Sequence, residues 1–162
     1  GNSASPTNNL SSIFKLLESY KSANIKIYCP LSYGNYPEYR NNVIDEGKNI
    51  FNDKFIPITD FMIKSDYEKF LQDIDIVIFN HNRQEAMGVT ISLLGMGKTI
   101  YMNSNTSSYK SLQERGFKIF DIELIKKEGF SVTKDISDNY KLIDRYYSYD
   151  VLRDSWKLIF KG

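Results

Sequence analysis

The sequence predicts a doubly wound α/β domain, in which helices cover both faces of a parallel sheet. Short apolar runs alternate with helix-like segments about five times along the chain, with no internal repeat. The clearest run, residues 74–79, is almost continuous in apolar side chains, as expected of a strand buried on both faces. We therefore expect three layers around a sheet of about five or six parallel strands.

A strand–turn–helix–strand unit in the middle of the chain organises this prediction. Its first strand, residues 74–79, is expected to be the most buried one. The polar residues 80–84 end that strand, and Glu85 is expected to open the following helix. Residues 99–102 form the next strand, which is followed by Asn103. Because ligands bind outside the carboxyl ends of parallel strands, we expect the ligand-binding edge at the loops after these two strands.

Two capping-box patterns mark helix starts in the first half of the chain. In a capping box, the first side chain and a Glu three positions later bond to each other's backbone N–H groups. Asn35 and Glu38 have this spacing, with Pro37 inside the first turn. Ser65 and Glu68 repeat the pattern. Helices are therefore expected to begin near Asn35 and Ser65.

The remaining segments complete the alternation. Strands are expected at residues 25–29, 54–58 and 117–120, and the proline in the second of them predicts an edge position. A further helix is expected to be capped within residues 106–108, Thr-Ser-Ser, and to end at Gly116. The first helix is expected to bury one apolar face, formed by Leu10, Ile13, Phe14 and Leu17.

The domain organisation is expected to be simple. We predict one domain over residues 1–162, with residues 1–5 disordered and two terminal helices within residues 137–162. Because the first residue is Gly rather than Met, we expect a domain excised from a longer protein. The last helix is expected to pack through four apolar residues, Val151, Leu152, Trp156 and Ile159.

The composition limits the classes of function. With 41% hydrophobic and 25% charged residues, the chain has an ordinary globular balance and is expected to form a packed core. The 21 basic and 20 acidic residues nearly cancel, so no nucleic-acid partner is expected. The sequence shows neither a signal peptide nor an apolar run as long as a membrane span, so a cytoplasmic location is expected by default.

The chain contains one cysteine, Cys29, and one histidine, His81. An intrachain disulfide therefore cannot form, and we expect neither a metal site nor a cofactor. Cys29 lies at a strand end and is expected to be unreactive core. His81 is a candidate general base, since the ordinary histidine pKa lies near neutrality, but a solvated or hydrogen-bonded side chain is the more ordinary interpretation in a polar turn.

The loop after the first strand is one candidate binding site. Ser32, Tyr33, Gly34 and Asn35 lie there, just before a predicted helix. The N-terminus of a helix presents free N–H groups and a partial positive charge, which suit a phosphate group. Ser32 would donate a hydrogen bond, and Gly34 would let the backbone approach closely. The alternative is an ordinary strand-to-helix turn, because the chain has no Walker or dinucleotide-binding motif.

The loop after the central strand is the stronger candidate. Arg83 offers a planar fork of donors for a phosphate or a carboxylate. Asn80 and Gln84 can hydrogen-bond to a base edge or a sugar hydroxyl, and Asn103 lies at the same expected edge. Gly88 lowers helix propensity within the first turns of its helix, which indicates packing or a close approach. The alternative is a solvated turn with a glycine that packs on the sheet.

These residues also resemble a known family. Residues 83–88 (RQEAMG), followed by the leucines and glycine of residues 93–97, resemble the R-Q-x-G-x-G segment of the TDP-N-acetylfucosamine:lipid II N-acetylfucosaminyltransferases, also called 4-alpha-L-fucosyltransferases. Residues 30–34 and the helix over 39–51 resemble the first strand, loop and helix of that family's C-terminal half. Ala86 departs from the pattern, because the family has Gly there.

The resemblance, which covers residues 26–120, implies a GT-B architecture of two Rossmann-like domains, with this chain as the C-terminal, donor-binding domain. It implies a nucleotide-diphosphate sugar donor, a TDP-linked deoxy-acetamido sugar, and no metal. It further implies a lipid-linked saccharide acceptor of bacterial cell-surface polysaccharide synthesis, such as that of enterobacterial common antigen. The absent N-terminal domain would supply acceptor contacts and the catalytic base, so we expect this chain alone to be inactive. Peripheral association with the inner face of the plasma membrane is compatible with such an acceptor.

Two other classes of function fit the same residues. A flavodoxin-like or nucleoside-processing α/β enzyme would bind a flavin or a free nucleoside at this edge instead of a nucleotide sugar. A non-catalytic nucleotide-binding or protein-interaction domain would use the same loops without chemistry. Yellow colour in the purified protein would favour the flavin enzyme, and full function of the isolated chain would favour the non-catalytic domain.

Overall fold

The structure, a computed structural model, describes residues 3–133, 136 and 138–160. The strands within this part of the chain are β1 (Ile27–Pro30), β2 (Phe55–Ile58), β3 (Ile76–Phe79), β4 (Thr99–Met102) and β5 (Phe120–Asp121). The helices are α1 (Leu10–Leu17), α2 (Pro37–Phe51), α3 (Lys64–Gln72), α4 (Met87–Gly95), α5 (Ser107–Glu114), α6 (Leu124–Glu128), α7 (Asn139–Tyr147) and α8 (Tyr149–Phe160). Three short 3-10 turns lie at Pro6–Asn8, Glu18–Tyr20 and Asn52–Lys54.

Every strand pair described is parallel, which confirms the predicted α/β class. β1 pairs with β2, and β4 pairs with both β3 and β5. The strands form two sheets instead of the single sheet expected, because β1 and β3 are not hydrogen-bonded to each other in the described residues. A largely apolar cavity of about 670 Å³ lies between them and is lined by both strands. The proline-containing β2 lies at an edge, as predicted.

The core consists of two hydrophobic clusters. The first joins α1 and α2 to β2, where the ring of Phe14 meets those of Phe51 and Phe55 edge-on, with centroids 5.9 and 5.3 Å apart. Gly47 is required here, because a Cβ atom would come within 2.5 Å of the Phe55 ring. The second cluster joins α4 and α5 to β4 around fully buried residues such as Leu94.

The most buried strand is β4 rather than β3, which corrects the prediction. All four residues of β4 are buried, since it is the middle strand of its sheet. In β3 only Phe79 is buried, because the other edge of β3 faces the cavity. Apolar composition predicted both strands, but their depth depends on which neighbours they pair with.

Neither capping box forms. α2 begins at Pro37, whose fixed φ angle suits the first helical position, so Asn35 remains in the loop. α3 begins at Lys64, and Ser65 therefore lies inside the first turn. Neither helix has a side-chain cap hydrogen bond. Both helices were predicted correctly, whereas their first residues were not.

The last strand is shorter than predicted because a side chain competes for its backbone. The Asn139 side chain accepts a hydrogen bond from the Lys118 backbone N–H at 2.9 Å and donates one to the Lys118 carbonyl at 3.0 Å. Asn139 is fully buried and anchors α7 to this segment. The predicted strand over residues 117–120 is thus reduced to β5, which begins at Phe120.

The two ends of the chain differ from expectation. Ser3 and Ala4 are ordered: Ser3 forms a parallel bridge with Tyr33, and the buried Ala4 donates its N–H to the Tyr33 carbonyl at 2.6 Å. The packing face predicted for the last helix is not packed, because α8 buries none of its residues. Trp156, which is 51% exposed, stacks on Phe160 of the same helix, with ring centroids 5.6 Å apart.

Candidate functional site

A small pocket lies at the carboxyl ends of β3 and β4. The last residues of the two strands, Phe79 and Met102, are paired, and the Asn103 N–H donates to the Phe79 carbonyl at 3.1 Å. The polar residues after both strands therefore meet at one edge, as predicted. The pocket has a volume of about 10 Å³, enough for one water molecule. It is lined by Phe79, His81, Arg83, Glu85, Met102, Asn103, Thr106 and Ser108.

Arg83 is the exposed member of this lining and is held by Glu85. Its Nε donates a hydrogen bond of 2.5 Å to Glu85 Oε1, which also accepts one of 2.6 Å from Thr7 Oγ1. The Arg83 side chain is 68% exposed and that of Glu85 only 17%. Burial acts to raise the pKa of Glu85, but the hydrogen bonds from Thr7 and Arg83 outweigh it and hold that pKa below its ordinary value. Arg83 therefore has an anionic partner before any ligand arrives.

His81 lies behind this pair and is buried. It is 4% exposed, and its ring packs against that of Phe79 with centroids 5.1 Å apart, so of the two ordinary interpretations the solvated side chain is wrong and the hydrogen-bonded one stands. Burial lowers its pKa from 6.5 to about 4, although the nearby Glu85 carboxylate acts to raise it. His81 is thus neutral at pH 7, and so low a pKa makes it a weak general base. Its Nε2 atom has no hydrogen-bond partner among the described residues.

The opposite wall of the pocket is the start of α5. Thr106 caps this helix as predicted, because its Oγ1 accepts a hydrogen bond from the Tyr109 N–H at 3.3 Å. Ser108, in the first turn, is 6% exposed, and its Oγ has no partner in the part of the chain that the structure describes. Asn103 shapes the turn before the helix by accepting the Asn105 N–H on its side-chain oxygen at 3.0 Å.

The start of α4 lies one step along the same edge. The helix begins at Met87 rather than at Glu85, and Ala86 precedes it in a left-handed conformation with φ of 56°. This conformation is the one that glycine adopts most easily, which explains why the segment that this stretch resembles has Gly there. At Gly88 a Cβ atom would meet nothing within 4 Å, so packing does not require this glycine. The interpretation that Gly88 packs on the sheet is therefore wrong.

The loop after β1 is open by comparison. Ser32 is half-buried, Asn35 is exposed and Tyr33 is 68% exposed. Gly34 has φ of 107°, and a Cβ atom there would lie 3.4 Å from the Ala4 carbonyl oxygen. The close approach that this glycine allows is thus made by the backbone of Ala4.

The residues just after the N-terminus join the two loops. Ala4 is bonded to the loop after β1, and the Asn82 N–H donates to the Thr7 carbonyl at 3.1 Å. The Asn9 side chain donates to Asn82 Oδ1 at 2.8 Å. Thr7, Glu85 and Ser108 were not predicted as site residues, and Thr7 and Glu85 lie 78 positions apart in sequence. Of the nine predicted site residues, the pocket brings together Arg83 and Asn103, whereas Asn80 and Gln84 lie on the same loop outside its lining.

Other features of the chain carry less chemistry. Cys29 is buried, and burial raises the pKa of its thiol to about 12, so it is unreactive core as predicted. Within residues 3–133, 136 and 138–160, no group of His, Cys, Asp and Glu side chains is placed to hold a metal ion. Among the helices described, none has the length and apolar character needed to cross a membrane.

The fold and the site together define an α/β protein with polar and charged groups gathered at the carboxyl edge of a parallel sheet, the usual place for a nucleotide. Residues 1–144 match the model of the 4-alpha-L-fucosyltransferase family, glycosyl transferase group 56. The chain belongs to this family and is therefore a glycosyltransferase, a class that uses a nucleotide-sugar donor and a glycan acceptor. Among curated proteins, no match was found.

Proposed function

We propose that this chain is the donor-binding domain of a GT-B glycosyltransferase. It binds a nucleotide-diphosphate sugar across the carboxyl ends of β1, β3 and β4. The sugar is a TDP-linked deoxy-acetamido sugar, and the acceptor is a lipid-linked saccharide of bacterial cell-surface polysaccharide synthesis. A second, N-terminal domain contacts the acceptor and supplies the catalytic base. Family membership supports the transferase reaction over the flavin-binding and non-catalytic alternatives.

The observation that carries this proposal is the position of Arg83. Its exposed guanidinium lies at the mouth of the pocket after β3, and α4 begins only a few residues later. The leaving group of the reaction is a nucleoside diphosphate, whose negative charge must be stabilised as the sugar is transferred. A guanidinium next to the N-terminus of a helix combines a full charge with free N–H groups, which is a strong arrangement for a diphosphate.

The other predicted residues take supporting positions around Arg83. Gly88 faces open space in the first turn of α4, where a phosphate can approach the backbone. Asn80 and Gln84 flank Arg83 on the same loop and offer amide groups to the sugar or the base. The loop after β1 offers its hydroxyl and backbone groups from the neighbouring sheet, through Ser32, Tyr33, Gly34 and Asn35.

Glu85 lowers the affinity of Arg83 for a diphosphate. Because it accepts the hydrogen bond from Arg83 Nε, a diphosphate must share or displace this carboxylate before it gains the full charge of the guanidinium. Thr7 also bonds to Glu85 Oε1 and keeps the carboxylate in place when Arg83 turns away. The ion pair with Glu85 thus holds Arg83 in the site when no nucleotide sugar is bound. It lets Arg83 turn to the diphosphate when one binds.

Nucleotide titration tests the proposal. TDP and UDP are titrated by calorimetry into the wild-type chain and into its Arg83→Ala and Arg83→Lys variants. We expect Arg83→Ala to weaken binding about tenfold or more, because charge-assisted hydrogen bonds are lost. Arg83→Lys should restore only part of the affinity, since an ammonium cannot reproduce the bidentate fork.

A matched control separates this effect from a general loss of charge. Arg153 on α8 is also a partly exposed arginine with an acidic partner, Asp150, and α8 does not contribute to the pocket. Arg153→Ala should leave nucleotide affinity unchanged. Equal affinities in wild type, Arg83→Ala and Arg153→Ala would rule Arg83 out of the donor site.

A further inference from the structure

Two buried polar atoms in the pocket have no hydrogen-bond partner in the described residues, and they lie on opposite walls. They are Nε2 of His81, after β3, and Oγ of Ser108, in the first turn of α5. Leaving such an atom without a hydrogen bond costs roughly 1–3 kcal/mol in general, so native proteins seldom bury one without a ligand or a water to satisfy it. Two apolar residues of the same lining, Phe79 and Met102, are also buried.

The hydrogen-bonding character of His81 defines what fits. The ring is neutral at pH 7 and therefore carries one N–H. The Glu85 backbone acts to raise the pKa of the ring, as the acceptor of that N–H would, and Nε2, which has no partner in the described residues, is then the acceptor. A phosphate oxygen is excluded at this point, because two lone pairs would face each other without a proton between them.

The other wall offers the complementary groups. The Ser108 hydroxyl can both donate and accept a hydrogen bond. Ser107 and Ser108 occupy the first two positions of α5, where backbone N–H groups have no partner within the helix. The pocket therefore has a hydrogen-bond acceptor on the His81 side and donors at the start of α5. This arrangement suits a ligand group that has an N–H next to a carbonyl oxygen.

We propose that His81 and Ser108 form a closed subsite for the amide or imide edge of the donor, with its N–H bonded to His81 Nε2 and its carbonyl facing the start of α5. This inference rests on the proposed function, because the group belongs to a bound nucleotide sugar. Two parts of such a donor carry this chemistry: the imide of a uracil or thymine base, and the acetamido group of an N-acetylated sugar. Arg83 is the exposed residue of the lining, so its turn from Glu85 towards the diphosphate opens the subsite.

Two pairs of isosteric ligands test the inference on the intact chain by calorimetry. UDP is compared with 3-deaza-UDP, in which the imide N–H is replaced by C–H and the adjacent C4 carbonyl takes the hydroxyl form, so that the imide edge is lost without a change in shape. UDP-N-acetylglucosamine is compared with its 2-O-acetyl ester analogue, in which the amide N–H is replaced by oxygen. We expect one pair to differ roughly ten- to hundredfold in affinity, as for other sites built around a buried hydrogen-bonding group. The pair that differs identifies which part of the donor enters the subsite.

Variants assign that discrimination to His81. His81→Phe keeps a ring against Phe79 but has no acceptor, so it should bind both members of the discriminated pair equally. His81→Gln keeps a carbonyl acceptor and should recover part of the discrimination. Ser108→Ala should weaken binding of the favoured ligand. Ser107 is an exposed serine in the same turn, and Ser107→Ala should leave that binding unchanged.

A readout on the wild-type chain makes the test independent of variant folding. His81 is the only histidine in the sequence, so the imidazole ¹⁵N spectrum contains one residue. We expect the Nε2 resonance of the unprotonated nitrogen to move upfield when the favoured ligand binds, since Nε2 then accepts a hydrogen bond. The analogue without the N–H should not change the position of the His81 Nε2 resonance.

Three results would overturn the inference. Equal affinities within both pairs would mean that the two atoms hold only a buried water. Discrimination that persists in His81→Phe would place the recognition elsewhere. An unchanged Nε2 resonance at saturation would exclude contact. If nucleotides bind in an Arg83-dependent manner but these results appear, the proposed function stands and this inference alone fails; if no nucleotide binds, both fail.

Discussion

The carboxyl ends of β1 and β3 are both followed by short polar loops, yet the two loops differ in burial. After β1, Tyr33 and Asn35 are exposed, and the loop is joined to Ala4 through its backbone. After β3, His81 is buried with an unused acceptor, next to an ion pair at the surface. Both loops were predicted to bind a ligand for the same reason, their polar residues at a strand end. The two loops therefore differ in a feature that polar composition does not predict, a buried polar group without a partner in the described residues.

The largest effect expected from this contrast is a pH dependence of stability that comes from His81. Its pKa is about 4 in the folded chain and 6.5 ordinarily, so between these values the unfolded chain binds more protons. The free energy of unfolding should therefore rise by about 3 kcal/mol from pH 4 to pH 6.5 through this residue, and be flat above it. Urea unfolding across this range measures it. His81→Phe should remove this part of the slope; identical slopes in both proteins would contradict the burial of His81.

The loop after β1 should respond to backbone strain instead. Gly34→Ala places a Cβ atom at φ of 107°, close to the Ala4 carbonyl. We expect a loss of about 2 kcal/mol in the free energy of unfolding. Gly88→Ala is the matched control, because that glycine is helical and faces open space; it should stabilise the chain slightly. A chain that tolerates Gly34→Ala without loss would show that this loop is not held by Ala4.

A smaller effect of opposite sign is expected at the loop after β3. Ala86 has φ of 56°, a conformation that costs an L-residue roughly 1–2 kcal/mol, part of which a glycine regains. Ala86→Gly should therefore stabilise the chain by about 0.5–1 kcal/mol, seen as a higher midpoint of thermal unfolding. A lowered midpoint would mean that the side chain of Ala86 contributes more by packing than its backbone costs.

The smallest effect concerns the ion pair at the surface of the site. Glu85→Gln weakens the hold on Arg83, so UDP should bind about threefold more tightly, the scale of a partly exposed ion pair. Glu68→Gln, which removes an exposed partner of Lys64 on α3, is the control and should change nothing. Weaker binding in Glu85→Gln would show that Glu85 orients Arg83 for the donor instead of competing with it.

The sequence predicted the features that depend on local pattern. The run 74–79 and the run 99–102 each became a parallel strand, and because the strands are neighbours, Arg83 and Asn103 meet at one edge. The N-terminal cap of α5 was also predicted, since Thr106 bonds within its own turn.

Features that depend on distant contacts were missed. The burial of His81 results from how the pocket walls close around it, and the ion pair at the surface is completed by Thr7, 78 positions away from Glu85. The burial of β3 was overestimated because composition does not show that, in the described residues, β3 pairs with β4 and not with β1. The prediction that α8 packs through an apolar face failed for the same reason. An apolar stripe on a helix predicts burial but does not identify the surface that would cover it.

Chemical-shift mapping of the isotope-labelled chain titrated with UDP tests most directly where the donor binds. We expect the largest changes in backbone amide shifts within residues 80–88 and 103–108, with smaller changes in residues 32–35. Changes confined to the cavity between β1 and β3, with the amides of residues 80–88 unmoved at saturation, would contradict this expectation.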